Sequence, residues 1–437
     1  MSVSYSSHYQ DFTRLDQWLY YLENLHSTEI DMGLSRIGKV AQCLAIDLSF
    51  AKVITVAGTN GKGTTCAFIE NALLLHQNNG LTPTVAVYSS PHIEHFNERL
   101  RFNKQDVKDQ PLMAAFKQIE EARADISLTY YEYTTLAALL VLMKLKPQFI
   151  ILEVGLGGRL DATNIIDADI AVITTIDLDH QNFLGDDRES IGFEKAGIMR
   201  QGQDIIVGDS NIPQSVLKHA HTLHAHHGDK LFLRDAEFIV KSETPCWQWQ
   251  SKQIILKGLE ATFIPQDNVA TALMVLQTLD IPLTTDMVNK IISITKVAGR
   301  TELIKQIKHC DVILDVGHNP QATRYLASHL KRVKEQANYQ NIYAVVAMLG
   351  DKDISASLLS LKDDVDFWYT AALSVPRAAT RETMQSKLAS FTNEVNCFDN
   401  IGEAFKMANK KASSSDLILV FGSFFTVAQI RSQLITG

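Results

Sequence analysis

One segment of the chain combines glycines, a lysine and threonines at the spacing of a phosphate-binding loop. It follows an apolar run of strand type, Val53–Ala57. The segment consists of Gly58, Thr59, Asn60, Gly61, Lys62, Gly63 and Thr64. Glycines let successive backbone N–H groups converge on phosphate oxygens, a helix that begins near Lys62 adds partial positive charge, and the lysine neutralises a β or γ oxygen. We therefore predict a nucleoside triphosphate site; the alternative is a merely tight strand-to-helix turn.

The loop departs from the general P-loop at two positions. Val56 stands where a P-loop has its first glycine, and Gly63 stands where a magnesium-binding hydroxyl would follow the lysine. We therefore expect the hydroxyl from Thr64 or from elsewhere in the chain. The segment Tyr88–His92, which contains Ser89, offers one at the end of the next predicted strand.

Three polar side chains, Ser89, Glu153 and His180, follow three apolar runs of strand type. The carboxyl ends of parallel strands share one edge of a sheet, where ligands usually bind. Oxygen ligands with one imidazole suit a magnesium ion that keeps waters and nucleotide oxygens. These residues predict a magnesium site, although Glu153 taken alone fits a solvated strand end equally well.

A run of histidines is a second candidate metal site, which we reject. It consists of His219, His221, His224, His226 and His227. The run lies on a polar stretch of helical type without acidic or cysteine partners at ligand spacing. Solvated histidines are the better interpretation.

Other residues have roles that the sequence alone leaves open. Asp315 could bind a ribose hydroxyl and Arg300 a phosphate, whereas Asn268 could be a helix N-cap and nothing more. Tyr130 and Tyr131 could stack on an aromatic ligand or simply pack. Lys195 by itself fits an ordinary surface lysine.

The elements that must position these residues alternate between short β-branched runs and longer amphipathic stretches. This alternation predicts a mostly parallel sheet covered by helices. The first strands are Val53–Ala57, Thr84–Tyr88, Phe149–Glu153, Ile170–Thr174 and Asp204–Val207. Further pieces of strand type, which we interpret as a small antiparallel patch, are Leu231–Leu233, Glu237–Val240, Trp247–Trp249 and Gln253–Leu256.

A second α/β series follows two helical stretches, Asn268–Leu279 and Thr285–Ile294. Its strands are Val312–Val316, Tyr343–Met348, Phe367–Ala371 and Leu417–Phe421. The boundary is expected within Lys296–Gly299, which has a glycine and no strong apolar pattern. We therefore predict two α/β domains, residues 1–297 and 298–437.

Composition limits the class of protein. The chain has 437 residues, of which 46% are apolar, and 41 basic against 49 acidic side chains leave a net charge of −8. This net negative charge gives no overall electrostatic attraction for the phosphate backbone of nucleic acid. The longest apolar run, Leu136–Met143, is shorter than the ~20 residues of a membrane span. Five scattered cysteines suggest free thiols in the cytoplasm.

Six motifs together resemble the folylpolyglutamate synthases, which belong with the Mur-type amide ligases. They occur in the family's order and the resemblance extends from about residue 30 to residue 425. The motifs are Thr55–Thr64, Tyr88–His92, Glu153–Asn164, Asp177–His180, Glu194–Gly197 and Asp315–Pro320. The segments from His26 to Leu34 and from Leu128 to Leu136 are similar to those that hold dihydropteroate in the bacterial bifunctional type, which is both dihydrofolate synthase and folylpolyglutamate synthase.

The resemblance implies a P-loop domain of Mur-ligase type followed by a Rossmann-like domain that handles glutamate. It implies that ATP activates a carboxylate of dihydropteroate or a folate as an acyl phosphate, which L-glutamate then attacks. It assigns the loop residues together with Asn268, Arg300 and Asp315 to ATP, and Ser89, Glu153 and His180 to magnesium. Lys195 is then a carbamylated lysine able to hold a second magnesium ion, and Lys62, Lys195 and His318 are the catalytic residues.

By the same resemblance, ten residues are expected to contact the pterin substrate. They are Glu29, Ile30, Asp31, Thr129, Tyr130, Tyr131, Glu132, Leu160, Asp161 and Ala162. We expect a monomer that needs neither nucleic acid nor a membrane. The alternatives are an enzyme that only extends folates and a P-loop ATPase without ligase activity.

The chain departs from the family at two places. Phe425 stands where many relatives have a histidine, and Thr301-Glu302 stand where an aromatic residue and an amide are common. Neither belongs to the phosphate-binding motifs, so these departures bear on glutamate handling rather than on the use of ATP.

Overall fold

The computed structural model describes residues 9–77, 80–223, 230–243, 245–306 and 310–436. The strands are β1 (Lys52–Ala57), β2 (Val85–Tyr88), β3 (Leu100–Phe102), β4 (Gln105–Asp106), β5 (Phe149–Glu153), β6 (Ile170–Ile173), β7 (Asp204–Val207), β8 (Leu231–Leu233), β9 (Phe238–Glu243), β10 (Cys246–Ser251), β11 (Ile255–Leu259), β12 (Glu302–Ile304), β13 (Asp311–Asp315), β14 (Ile342–Val346), β15 (Phe367–Ala371), β16 (Val395–Phe398) and β17 (Leu417–Phe421).

The α-helices alternate with these strands over most of the chain. They are α1 (Leu15–Glu23), α2 (Ser35–Cys43), α3 (Lys62–Leu75), α4 (Asp109–Arg123), α5 (Tyr130–Leu145), α6 (Gln181–Leu184), α7 (Arg188–Ala196), α8 (Gln214–Leu223), α9 (Gln266–Thr278), α10 (Thr285–Ile294), α11 (Pro320–Ala337), α12 (Ile354–Leu359), α13 (Arg381–Ala389), α14 (Ile401–Lys411) and α15 (Phe424–Thr436). Short 3₁₀ helices are Tyr9–Asp11, Phe96–Arg99 and Ala162–Ile165.

The first sheet has the strand order β4-β3-β2-β5-β1-β6-β7-β8. From β2 to β8 all neighbours are parallel, whereas β3 and β4 form an antiparallel edge. The central strand β1 is apolar and buried because helices cover both faces of the sheet. Helices α3 and α9 pack on one face, and α2, α4 and α5 pack on the other. The predicted parallel sheet covered by helices is confirmed.

A separate antiparallel sheet, β11-β10-β9, follows the large sheet. Its fully buried Trp249 packs in the same core as α3 and α9. The prediction was wrong for Leu231–Leu233, which forms β8 and pairs in parallel with β7. Leu231 packs there among the side chains of β6, β7 and α7, so burial at the edge of the sheet decided the pairing of a strand too short to show its partner.

The second sheet has the order β12-β13-β17-β14-β15-β16, and only β12 runs antiparallel to its neighbour. Two apolar cores cover its two faces. The predicted linker lies between α10, which ends at Ile294, and β12, which begins at Glu302. The exact division at residues 297 and 298 stays a prediction.

Sequence reasoning missed four strands, namely β3, β4, β12 and β16. Each has two to four residues and lies toward an edge of its sheet, where polar residues are tolerated and periodicity is weak. Across the described part of the chain, no helix combines the length and hydropathy that crossing a membrane would require.

Candidate active site between the two domains

The phosphate-binding loop connects β1 to α3, and the helix begins at Lys62 as predicted. Gly61 has φ +88°, and a Cβ atom there would lie 2.4 Å from Oδ1 of Asn268. Both the left-handed backbone and the close approach of Asn268 therefore require glycine. Lys62 is partly buried, and its Nζ donates to the carbonyl oxygen of Gly58 at 2.8 Å. The loop thus places a cation and a helix N-terminus at one point.

Two adjoining cavities of about 180 and 100 Å³ lie at this loop, between the domains. The seven predicted loop residues all line one or both cavities. Asn268, Arg300 and Asp315 line the larger cavity together with Tyr325. The smaller cavity is lined by Lys62, Glu153, His180, Lys195 and His318, among others. The structure therefore brings together most of the residues that were assigned to ATP, metal and catalysis.

Glu153 lies beside Gly63, the position at which the loop lacks a hydroxyl. A Cβ atom on Gly63 would lie 3.5 Å from Oε1 of Glu153, an ordinary contact distance, so the carboxylate lies directly beside this position. Burial raises the pKa of Glu153, and the nearby charge of Lys62 opposes this effect. The end of β5 thus brings a carboxylate directly to the first turn of α3.

The structure does not bring Ser89 to the cavity, so the choice of this serine is corrected. Its Oγ accepts a hydrogen bond from Nη1 of Arg101 at 3.4 Å, away from the cavity, whereas Ser90 lines the smaller cavity. Successive residues of an extended chain point to opposite sides. A shift by one residue therefore exchanges the serine that lines the cavity.

His180 has a left-handed backbone, with φ 52° and ψ 38°, at the N-cap of α6. Such a conformation is uncommon outside glycine and is found often at functional sites. Burial lowers the pKa of His180 to about 4, against the opposing charge of Asp179. The ring is therefore neutral near pH 7, which is the form that binds metals.

Lys195 is a buried residue of α7 and not the surface lysine that its sequence context alone would suggest. It lines the same cavity as Lys62 and Glu153. Burial, and after it the charge of Lys62, lowers the pKa of Lys195 to about 7. A large fraction of this amine is therefore neutral and nucleophilic near neutral pH.

Asp179 connects the two domains, a role that sequence reasoning missed. Its Oδ1 accepts a hydrogen bond from Nζ of Lys352 at 2.6 Å, and its Oδ2 accepts one from Nδ2 of Asn319 at 3.0 Å. Nε2 of His318 lies 3.5 Å from the same carboxylate. Lys352 and Asp179 are both buried. No local pattern marks Lys352, because it follows a strand of one domain and finds its partner in the other.

His318 and Asn60 also lie at this contact. Nδ1 of His318 is 2.8 Å from the carbonyl oxygen of Val316, so this nitrogen is the donor. Asn60 and Asn319 exchange two amide hydrogen bonds of 3.1 Å. The phosphate-binding loop is thus attached directly to the start of α11.

Asn268 is not the N-cap of its helix, so this interpretation is wrong. Pro265 occupies the N-cap position, and Nδ2 of Asn268 donates to Oγ1 of Thr64 at 2.8 Å. The Thr64 hydroxyl in turn donates to the carbonyl oxygen of Gly61 at 3.0 Å. Because both interactions hold Thr64 inside the loop, its hydroxyl stabilises the loop rather than replacing the missing metal ligand.

Arg300, which is partly buried, and Asp315, which is buried, both line the larger cavity. Asp315 accepts backbone N–H groups from Thr301 at 2.8 Å and from Gly317 at 2.7 Å. The Arg300 guanidinium lies over the ring of Phe424, 5.3 Å from its centre. Asp315 therefore fixes the linker to the end of β13, and Arg300 extends from the linker into both cavities.

The expected pterin residues divide into buried supports and exposed contacts. Tyr131 packs against Gly155, where an added Cβ atom would lie 2.7 Å from the ring. Asp161 accepts backbone N–H groups from Gly155 and Leu156 at 3.0 and 2.8 Å. These two hydrogen bonds to Asp161 fix the conformation of the glycine-rich loop after β5. The adjacent Leu160 is partly exposed, and Ala162 is buried.

The two segments expected to hold the pterin meet through Arg36, which sequence reasoning missed. Its Nη1 is 2.6 Å from Oδ2 of Asp31, and its Nη2 is 3.2 Å from Oε1 of Glu132. Glu132 also caps α5, because its Oε2 accepts from the N–H of Thr129 at 2.8 Å. The signal was an arginine at the second position of α2, five residues after Asp31.

The remaining expected residues lie on the same side of the cleft. The Glu29 carboxylate is exposed and 4.0 Å from Nε of Arg377 in the second domain, and Ile30 is partly exposed. Tyr130 is partly buried, with the guanidinium of Arg99 5.4 Å from its ring centre. Of the rejected histidines, His219 and His221 lie on α8, and the other three lie outside the described residues.

The chain resembles known proteins along nearly its whole length. Residues 56–277 match the Mur ligase middle domain, and residues 299–424 match the Mur ligase glutamate ligase domain. A dihydrofolate synthase/folylpolyglutamate synthase of Haemophilus influenzae is 41% identical over 95% of this chain and 96% of its own. The structure of E. coli FolC in complex with DHPP and ADP has a TM-score of 0.88, 41% identity, and coverage of 97% of this chain and 98% of that one.

A bifunctional folylpolyglutamate synthase/dihydrofolate synthase of Yersinia pestis, complexed with AMPPNP and Mn ion, is also similar. It has a TM-score of 0.86 and 40% identity, and the match covers 99% of this chain and all of that one. The two sheets and the phosphate-binding loop between them define an ATP-dependent ligase of the Mur type. Within that class, the chain belongs to the dihydrofolate synthase/folylpolyglutamate synthase family.

Proposed function

We propose that the protein uses ATP to join L-glutamate to dihydropteroate, forming dihydrofolate, and to folates, extending their glutamate tail. The observation that carries this proposal is the pair of adjoining cavities between the domains. One contains the nucleotide residues Asn268, Arg300 and Asp315, and the other contains Lys62, Glu153 and Lys195. An acceptor carboxylate and the terminal phosphate of ATP can therefore meet beside the same cations.

The residues fit magnesium. Glu153, His180 and Ser90 line one cavity, and Glu153 lies beside Gly63, the position at which a P-loop has its hydroxyl. Among the described residues, no three acidic, histidine or cysteine side chains form a closed metal cage. An incomplete oxygen-rich set suits magnesium, which keeps waters and phosphate oxygens as ligands. When bound, the ion neutralises phosphate charge; a carbamate on Lys195 would give a second ion its carboxylate.

The chemistry requires activation because a carboxylate is a poor acyl donor. Phosphoryl transfer from ATP converts it to an acyl phosphate, and the amine of glutamate displaces phosphate to form the amide. Lys62 and the N–H groups of its loop hold the transferred phosphoryl group by position and charge. We assign His318 to orienting the incoming amine, because it projects from the second domain into the phosphate cavity.

Because both domains contribute to the cavities, we propose that domain 298–437 closes on domain 1–297 to assemble the site. The contacts of Asp179 and Asn60 with Asn319 support this proposal. We also propose a cytoplasmic location for the enzyme, which the unpaired cysteines support.

The test is a product assay by mass spectrometry with ATP, glutamate and either dihydropteroate or tetrahydrofolate. The proposal expects dihydrofolate from the first acceptor and a product one glutamate heavier from the second. An enzyme that only extends folates gives no dihydrofolate. A P-loop ATPase without ligase activity releases phosphate without either acceptor, whereas a ligase requires the acceptor and glutamate.

Lys62→Met tests whether the cavities carry this activity. The variant should lose both products while keeping its thermal unfolding temperature, because Lys62 makes hydrogen bonds only within its own loop. Retention of either product by the variant would contradict the assignment of the loop to ATP.

A further inference from the structure

Arg99 is a partly buried cation on the acceptor side of the cleft. Its Nε donates to Nδ1 of His92 at 2.9 Å, and its guanidinium lies 5.7 Å from the ring centre of Phe96 and 5.4 Å from that of Tyr130. In the ranges of the chain that the structure describes, no carboxylate lies within 4.0 Å of its nitrogens. Both terminal nitrogens of the guanidinium therefore keep N–H groups that can bind an anion.

The neighbouring Arg101, in contrast to Arg99, is paired with a carboxylate. Arg101, two residues further on, places Nη2 3.0 Å from Oε2 of Glu70, a residue with no exposed surface. Removing a charge from water is unfavourable unless an opposite charge accompanies it. Among the described residues, the side chain that hydrogen-bonds the Arg99 guanidinium is His92, which carries no negative charge. Burial, followed by the charge of Arg99, lowers the pKa of His92 to about 4. Arg99 is thus held in place but not neutralised.

The position of Arg99 is fixed next to the phosphate cavity. Its carbonyl oxygen accepts a hydrogen bond from the N–H of Ser89 at 2.8 Å, at the end of β2. The next residue, Ser90, lines the phosphate cavity. On its other side, Arg99 contacts Tyr130 at the start of α5, the segment expected to hold the pterin. The backbone of Arg99 is thus attached to the segment that leads into the phosphate cavity, and its guanidinium lies at the start of the proposed pterin site.

The two proposed acceptors differ by one anionic group at this position. Dihydropteroate has a single carboxylate, which is the reacting group and must lie at the phosphates. A folate ends in a glutamate with two carboxylates, of which one reacts and the other does not. We propose that Arg99 binds the non-reacting carboxylate of the terminal glutamate and is a specificity-determining residue for folate elongation. This inference rests on the proposed function.

The test compares both acceptors in the full-length enzyme with saturating ATP and glutamate. Arg99→Met should raise the KM for tetrahydrofolate about 10- to 100-fold, the range expected for hydrogen bonds to a charged group. Its KM for dihydropteroate should change less than about 3-fold, because that acceptor has no second carboxylate. Arg99→Lys should recover part of the loss, since a lysine keeps the charge but not the planar pair of donors.

A substrate analogue tests the contact itself. The analogue is tetrahydrofolate in which the non-reacting carboxylate is replaced by an amide. With this analogue, the KM of the wild type should rise as much as the KM of Arg99→Met rises with the natural acceptor. The variant should no longer distinguish the acid from the amide. Arg159→Met is the matched control: Arg159 also stacks on a ring, that of Phe193, but it is paired with Glu194, so this variant should still prefer the acid.

Four results overturn the inference. One is an equal loss with both acceptors in Arg99→Met, which would indicate a structural role in the loop. Another is a wild type that uses the amide as readily as the acid. If the wild type forms dihydrofolate but elongates no folate at all, the proposed second activity fails as well, whereas normal elongation by Arg99→Met refutes the role of Arg99 alone.

Discussion

The state of Lys195 gives the sharpest test of the chemistry. Burial and the charge of Lys62 lower its pKa to about 7. At pH 7.5, a lysine with an ordinary pKa is only about 0.1% neutral, whereas a pKa near 7 makes about 75% neutral, a gain of roughly 700-fold. Because only the neutral amine attacks CO₂, we expect carbamate to form readily on this residue. At fixed dissolved CO₂, the rate of carbamate formation should rise between pH 6 and 8 and then level off, because the rate follows the neutral fraction of the amine.

The assay is ¹³C NMR of the enzyme in ¹³C-labelled bicarbonate, with activity measured in parallel. The wild type should show one carbamate signal that Lys195→Ala lacks. Lys117→Ala, a change at an exposed lysine of α4, should keep the signal. We expect Lys195→Ala to lower kcat at least about 10²-fold, the scale of losing one charge-stabilising group, and short carboxylic acids to restore part of it.

The reasoning would be refuted by a carbamate signal that persists in Lys195→Ala. Full activity of that variant would equally contradict it. Unchanged wild-type activity after thorough removal of CO₂ and bicarbonate would show that the amine works without the modification.

Three further changes test the support of the site. Asn268→Ala removes the 2.8 Å hydrogen bond to Thr64 and should raise the KM for ATP about 5- to 10-fold, or about 1 to 1.5 kcal/mol, with the KM for the acceptor as control. Lys352→Met leaves Asp179 buried without its 2.6 Å partner. Leaving a buried charge without its partner costs about 3 to 5 kcal/mol of stability, so the unfolding temperature should fall. The double variant with Asp179→Asn should recover part of this fall, and no recovery would argue against the ion pair of Lys352 and Asp179. Trp249→Ala empties a fully buried position and should lower the free energy of unfolding in urea by about 3 to 5 kcal/mol, while kcat of the folded enzyme stays unchanged because β10 lies outside the cleft.

Local sequence was sufficient to predict the elements that are stabilised by interactions between residues close together along the chain. The apolar strand before Gly58, the glycines and Lys62 lie within a dozen residues, so the loop and the first residue of α3 could be predicted. The strands Phe149–Glu153 and Leu417–Phe421 likewise have the predicted bounds, because burial on both faces leaves a continuous apolar pattern. The helix Thr285–Ile294 also has the predicted bounds, and Thr284 caps its start.

Prediction failed where the direction or the partner of a side chain depends on residues far away along the chain. Sequence could not distinguish Ser89 from Ser90, because the direction of each depends on how β2 ends beside β3. Asn268 fits a cap by composition, yet it reaches the phosphate-binding loop 204 positions away. Lys352 has no motif of its own, and only the approach of the two domains pairs it with Asp179.

The amino-acid sequence by itself determined the two α/β units, the phosphate-binding loop and the family to which the chain belongs, because these depend on short apolar periods and contiguous motifs. The tertiary structure decided which groups face one another across the cleft, and with that the burial of Lys195 and, within the described part of the chain, the lack of a carboxylate partner at Arg99. Charge and protonation depend on distance and desolvation in three dimensions, and neither quantity is contained in the spacing of residues along the chain.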